Sequence, residues 1–375
     1  MVASVSSQRS PTLAKLWLDL GVTSSQTLLA AVFVLAHIPL AMMMRTAPAF
    51  ATAHAIASAL IGLTYAATTR RIRYAAIAAG YMVGCEVLWR MNKADVFWEF
   101  GKYSLVAFLL IGLFRMRRRR ISPIAVMYFA FLLPSVALSF SSFDLDYARQ
   151  EVSFYLSGPL AIAVAAIFMS NVTMSRNELL ATFVAIVAPV VGICALSFIS
   201  TASRDDIEFV NGANFVTSGG FGPNQVSAML GLAAMLLILI MVERKLTWFV
   251  RLPMFALAAA LAAQSALTFS RGGIMISLAG LCGAAFYWLR GSRRGRATVL
   301  VVGGLGFLLG NYVIEPQLES FTKGKLSARY ESTKSSGREL FVASELNLFE
   351  ENPILGVGPG GGMRSRAERG EFGGF

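Results

Sequence analysis

Apolar runs recur along this chain with a regularity that leaves few folds open. There are eleven of them, at 27–44, 49–67, 74–89, 103–114, 123–140, 154–170, 179–200, 222–242, 252–269, 272–289 and 297–314, separated by polar connectors. A bilayer core takes roughly 17–25 helical residues. Most runs reach that length; 103–114 does so only with its flanks. Buried helical hairpins of a soluble protein do not need so many apolar runs. Only 14% of the residues are charged, against about a quarter in soluble domains. In hydrocarbon a chain satisfies its backbone polar groups within its own helices. The expected fold is an all-α, polytopic transmembrane helix bundle of about 11 spans. A polar segment 1–26 precedes the bundle at 27–314, and a loop with a short amphipathic helix follows at 315–375.

The net charge of +12 would suit a nucleic-acid binder if it were spread evenly, and it is not. With the N-terminus placed inside, the connectors on the inner side total +15 and those on the outer side −2, Glu86 lying within a run. This alternation is the positive-inside pattern. It makes Arg115–Arg120 an orientation anchor next to anionic membrane lipids, with no nucleic acid required. The N-terminus is then cytoplasmic, and 201–224, 270–273 and 315–375 share the outer face.

Cys85, Cys194 and Cys282 fall inside apolar runs without metal-ligand spacing and read as small buried hydrophobes. Pro39, Pro134, Pro159 and Pro189 read as tolerated kinks. Gly80-x-x-x-Gly84 and Gly306-x-x-x-Gly310 read as close helix packing. His37 and His54 read as packing histidines.

Arg271 is the sharpest single residue. It interrupts the apolar stretch 252–289, which has to fold back at Ser270-Arg271-Gly272-Gly273. An arginine at membrane depth is costly and marks a polar cavity or a partner, and guanidinium suits phosphate through paired, charge-assisted hydrogen bonds. Arg204 offers a second phosphate contact. Asn224 opens a span directly after Gly222-Pro223, either as a cap or as an amide that, with the neighbouring free N–H groups, addresses an oxyanion. Near the end, Ser336–Gly362 reads SGRELFVASELNLFEENPILGVGPGGG. Leu340, Ser344 and Leu348 share a helix face, Asn352-Pro353 stops that helix, and a glycine-rich turn follows.

The pattern G-R-E-L-x(10)-E-N-P-I-L-G-V-G-P-G resembles the hallmark loop of the bacterial O-antigen ligase and O-antigen polymerase family, and Phe221-Gly-Pro-Asn224 and Ser270-Arg-Gly-Gly273 agree with it. The resemblance covers about the C-terminal half. It implies a multi-pass transferase of the bacterial inner membrane, with residues 315–375 in the periplasm. The glycan donor would be linked to undecaprenyl diphosphate and the acceptor would be a lipid- or carrier-linked saccharide. No metal or other cofactor is implied. Arg271, Arg204, Arg338, Asn224 and Ser270 would bind substrate, with Arg338 at the family's loop-arginine position. The family's histidine base lies further along this loop than Phe375. The catalytic base is therefore unassigned, and the expectation is a transferase whose loop is truncated and whose competence is open. A flippase or transporter of lipid-linked saccharides and a non-catalytic remnant are the other readings.

Overall fold

The structure, a computed structural model, describes residues 24–69, 71–204, 206–210, 212–243, 246–291, 293–331 and 338–370, without the side chains of 24, 25, 294, 298 and 338. The described residues are helical and contain no strand. Among the described residues, eight helices are long and apolar enough to cross a membrane. They cover all the expected runs except 74–89, 103–114 and 123–140. Two of these form apolar helices of 18 and 15 residues, Tyr74–Met91 and Phe100–Phe114. The third is broken in two.

The chain groups into two compact units, one of Met1–Met42, Val187–Ile207 and Ala213–Phe321, the other of Met43–Ile186, Glu208–Gly212 and Thr322–Phe375. Two long helices, α1 (Ser24–Thr46) and α8 (Arg176–Ala202), contribute residues to both.

The second unit is built on α2 (Pro48–Thr68), α3 (Tyr74–Met91), α4 (Phe100–Phe114), α5 (Pro123–Ala130), α6 (Val136–Ser142) and α7 (Leu145–Asn171). α2, α3 and α4 pack on one another, and α7 receives α4, α5 and α6. Pro48 and Pro123 occupy first helical turns, where a missing N–H costs nothing. Asp144 caps α7 by accepting from Tyr147 N at 3.3 Å. The break between α5 and α6 falls at Phe131–Ser135, around Pro134. Proline supplies no N–H and disfavours helical geometry at Leu133 before it. Leu133 N and Val136 N accordingly make tight bonds to Ala130 O and Leu133 O. Pro39 and Pro159 instead sit inside continuous helices.

Though broken, the 123–142 segment runs the length of α7. Arg120 N donates to Asn171 Oδ1 at 2.6 Å, and Phe143–Asp144 turns directly into the start of α7. The connectors therefore sort to two ends. One gathers Arg115 Nη1 on Ala66 O (2.7 Å), Arg73 on Thr173 O (3.2 Å) and Arg73 against the Glu178 carboxylate (2.7 Å). The other gathers Arg45 on Met91 O (3.1 Å), Asp95 N on Thr52 Oγ1 (2.8 Å) and Tyr103 with Ser153 (3.0 Å). The first end carries the arginine-rich connectors that the charge pattern assigns to the inside.

The loop helices α15 (Arg338–Glu351) and α16 (Gly361–Glu368) close at the second end. Ser139 Oγ donates to Pro359 O at 2.8 Å and Arg364 Nη1 to Ser142 O at 2.6 Å. Arg366 pairs with Glu345, and Arg369 with Glu351. Gly358 has a φ of +76°, and a Cβ there would stand 2.9 Å from Ser135 O. The glycine turn thus seats on the start of α6, just past the break. The expected face of α15 is half met: Ser344 and Leu348 are buried, but Leu340 is exposed, as are Val342, Leu346 and Phe349.

Of the two spaced glycine pairs, Gly80 does sit in close contact, 2.9 Å from the Thr182 methyl as measured from an added Cβ, while Gly306 and Gly310 face open space. Cys85 is buried as expected; Cys282 is exposed. His37 Nδ1 bonds Phe33 O at 2.8 Å. His54 lies between Trp89 Nε1 (2.9 Å) and Tyr81 OH (3.0 Å).

Gly358→Ala is expected to release the glycine turn, because the side chain meets both a left-handed backbone and the Ser135 carbonyl. Limited trypsin digestion of membranes checks this: cleavage at Arg364, Arg366 or Arg369 should speed up while cleavage at the Arg115–Arg120 connector stays unchanged.

Candidate functional site

The first unit contains α9 (Pro223–Glu243), α10 (Trp248–Leu267), α11 (Gly272–Arg290) and α12 (Arg293–Leu309), with a π-helical turn Gly310–Ile314 leading into α13 (Glu315–Thr322). α9 packs on both α10 and α11. Where α9 meets α11 the two backbones touch. A Cβ at Gly231 would overlap Gly273 O, and one at Gly273 would overlap Ser227 O. Ser277 Oγ adds a bond to Gly231 O at 2.7 Å. This is a small-x-x-x-small contact, Ser227/Gly231 against Gly273/Ser277, which lets backbones approach in lipid where no hydrophobic drive brings helices together.

The contact holds the α10–α11 turn in place. Ser227 Oγ accepts from Gly273 N (3.2 Å) and donates to Ser270 O (3.0 Å), and Ser265 Oγ donates to Ser227 O (3.1 Å). Within the turn, Phe269 is fully buried with a φ of +58°. A bulky residue in the left-handed region costs about 1–3 kcal/mol and persists only where the surroundings dictate it. Here burial of the ring and the Asn214 N bond to Thr268 O at 2.8 Å fix the turn.

A second layer of polar contacts comes from the segment before α9. Gln264 Nε2 donates to Thr217 O (2.7 Å) and to Thr201 Oγ1 (3.2 Å), and Thr217 Oγ1 donates to Leu267 O. Asn214, Thr217, Ser218, Gln264, Ser265 and Thr268 are all buried. Non-helical backbone beside a membrane core is tolerated where protein covers it and every polar group finds a partner, and this cluster meets that condition. The sequence analysis places 201–224 on the outer face. Its 202–210 part is largely exposed among the described residues, whereas Asn214 and 217–219, within its run of Asn, Thr, Ser and Gly, are buried.

Ser270 and Asn224, which the motifs singled out separately, come together: Ser270 Oγ donates to Asn224 Oδ1 at 2.8 Å. Asn224 is the second residue of α9 rather than its cap. It is exposed, and its amide nitrogen bonds no described residue. Arg271 is half-buried at the N-cap position of α11. Arg204 is exposed just past the end of α8, on the end of the unit that Thr201 and Gln264 join. Two helix N-termini, those of α9 and α11, therefore meet beside Arg271 and the Asn224 amide. The positive ends of two helix dipoles make such a place receptive to an anion, though Gln225 N, Val226 N and Gly273 N are already bonded. Arg338 opens α15, in the other unit; its side chain lies outside the described residues, as does Asp205. Glu345 pairs with Arg366.

Comparison with known proteins adds one finding. The family model described as O-antigen ligase matches residues 265–373. The matched segment takes in Ser270, Arg271 and the whole loop from Gly337 to Gly362, and leaves out Arg204 and Asn224. No curated protein and no solved structure matches the chain.

Gly273→Ala is expected to destabilise the bundle by about 1–3 kcal/mol, the usual cost of overpacking, since the added methyl meets backbone that cannot swing aside. Gly306→Ala, where the space is open, is the matched control. Thermal aggregation of the detergent-solubilised protein should shift for the first variant and stay at the parent value for the second.

Proposed function

From a chain whose residues 265–373 carry the O-antigen ligase domain, we propose a membrane glycosyltransferase. It moves a glycan from an undecaprenyl diphosphate carrier to the hydroxyl of a lipid- or carrier-linked saccharide. The observation that carries this reading is the meeting of two helix N-termini with Arg271 and the Asn224–Ser270 pair. In the transfer, the acceptor oxygen bonds to the anomeric carbon as the bond from that carbon to the diphosphate oxygen breaks. The electron pair leaves with the diphosphate. Arg271, the Asn224 amide and the positive ends of the α9 and α11 helix dipoles are assigned to that growing charge, and donors fixed in place before the reaction stabilise it most. Arg204 is assigned to a second phosphate oxygen in this reading. Guanidinium and amide cannot take up the acceptor's proton, so these residues bind and stabilise; a base is a separate requirement. Ser270 holds Asn224 in position and acts through it. In the loop, the role assigned to Arg338 is to position the acceptor.

The segregation of Arg73, Arg115 and their neighbours to one end of the second unit, opposite the glycine turn, supports a cytoplasmic N-terminus and a periplasmic loop in the inner membrane. Of the two family activities, polymerase or exopolysaccharide work fits somewhat better, because no feature specifies a lipid A-core acceptor.

Arg271→Ala should abolish glycan transfer in cells, a loss of ~10²-fold or more, with membrane protein level unchanged, and Arg271→Lys should restore only a small part of it. Parent-level polysaccharide in Arg271→Ala would sink the reading. For orientation, a cysteine placed by Glu350→Cys in a Cys282→Ser background should react with an impermeant maleimide in spheroplasts. One placed by Arg118→Cys should react only after permeabilisation.

A further inference from the structure

A cavity of about 180 Å³ opens where α3 hands over to α4, lined among others by Glu86, Trp89, Arg90, Lys93, Phe97 and Trp98. It belongs wholly to the second unit and lies at the end that carries the glycine turn. Its construction is unusual for a membrane-edge recess. Glu86 sits more than a turn inside α3, where a carboxylate is expensive, and an ionisable residue at that depth points to function. Arg90, one turn on, pairs with it through Oε1. The same guanidinium donates to Trp98 O at 2.8 Å and lies 3.9 Å from the Trp98 ring centre. Gly101 makes the seat: a Cβ there would stand 3.2 Å from three Glu86 side-chain atoms. The second carboxylate oxygen, Oε2, accepts no hydrogen bond from a described residue. Lys93 is exposed, held at a φ of +53°, and its amine likewise bonds no described residue. Trp98 and Phe97 flank the opening, 43% and 57% exposed.

These groups define the ligand. Exposed indole and phenyl faces offer an apolar platform, an unsatisfied carboxylate oxygen accepts from hydroxyls, and Lys93 and Arg90 donate. The Glu86–Arg90 pair cancels its own charge, and buried Glu99 also lies within charge range of Arg90. A phosphate would face a carboxylate here, so an anion is disfavoured. A neutral ring with hydroxyls at its edge and C–H groups on its face fits each element. The volume is below the roughly 300–1,000 Å³ of pockets for drug-sized ligands, which leaves room for one sugar ring rather than a chain. We infer that this recess is a saccharide subsite that takes a single neutral hexose-sized unit of the glycan substrate. The assignment to the glycan rests on the transferase reading above; the binding chemistry does not.

The test uses the full chain in nanodiscs and saturation-transfer NMR with methyl α-glucoside, methyl β-galactoside and methyl N-acetyl-β-glucosaminide as probes, and glycerol 1-phosphate as the anionic comparison. At least one hexoside should receive saturation from the parent protein. Trp98→Ala, at an exposed ring, and Gly101→Ala, which crowds the Glu86 seat, should each weaken that binding by about tenfold. Gly306→Ala, where the space is open, should leave it unchanged. Absence of transfer to every hexoside, a signal that survives both Trp98→Ala and Gly101→Ala, or binding of glycerol 1-phosphate alone would overturn the subsite. Hexoside binding that depends on Trp98, in a protein whose Arg271→Ala variant still transfers glycan in cells, would overturn the transferase reading and leave the subsite standing.

Discussion

α9 and α11 touch backbone to backbone, and the position of Arg271 depends on that contact. With glycine at 231 and 273 the helices approach until a serine hydroxyl, that of Ser227, can serve two peptide groups of the opposing turn at once. Any side chain at either glycine would hold the helices apart and leave Gly273 N and Ser270 O without this partner. In lipid there is no water to take over. The strained Phe269, the Ser270–Asn224 pair and the first turn of α11 all follow from it, because each is a neighbour of a peptide group that Ser227 fixes. An arginine at membrane depth can be precise only if the backbone that carries it cannot drift.

The second unit achieves order by a different route. Its connectors alternate between two ends, and cationic side chains at one end bond carbonyls at the ends of neighbouring helices, as Arg115 does at Ala66 and Arg73 at Thr173. Charge that orients a chain during insertion thus also ties the finished helices together. The opposite end joins hydroxyl contacts to bonds from Arg45 and Arg364, and accepts the glycine turn of the 338–370 segment against α6.

The spans were legible because run length and hydropathy are properties of contiguous residues. The 123–140 run was read as one helix, since its composition is apolar throughout. A single proline among apolar neighbours lies within a continuous helix at Pro39 and Pro159 but at a break at Pro134, and composition is the same in each case. The glycine pair that brings helices together was missed for a similar reason. Gly306-x-x-x-Gly310 has the familiar spacing and faces open space, whereas Gly231 and Gly273 each find their small partner, Ser227 or Ser277, four residues away, and the match that counts is across two helices. At the site, Arg271, Asn224 and Ser270 were legible from depth and motif. Their union was not, because a hydrogen bond between residues 46 apart leaves no local trace. Thr217 and Gln264, which bury the segment before α9, carried only a polar composition that an exposed loop shares.

The buried polar segment also bears on how the protein is made. Asn214 N and Thr217 find their partners at Thr268, Leu267 and Gln264, some fifty residues further along the chain. At a synthesis rate of about 5–20 residues per second, those partners emerge several seconds after the segment that needs them. Until α10 is in place, Asn214 N and Thr217 O lack their partners at Thr268 and Gln264, and a position in hydrocarbon would cost several kcal/mol for each. Residues 212–219 are therefore better held in water at the membrane surface until α10 has inserted. The order of insertion is written in the hydrogen bonds of the finished site.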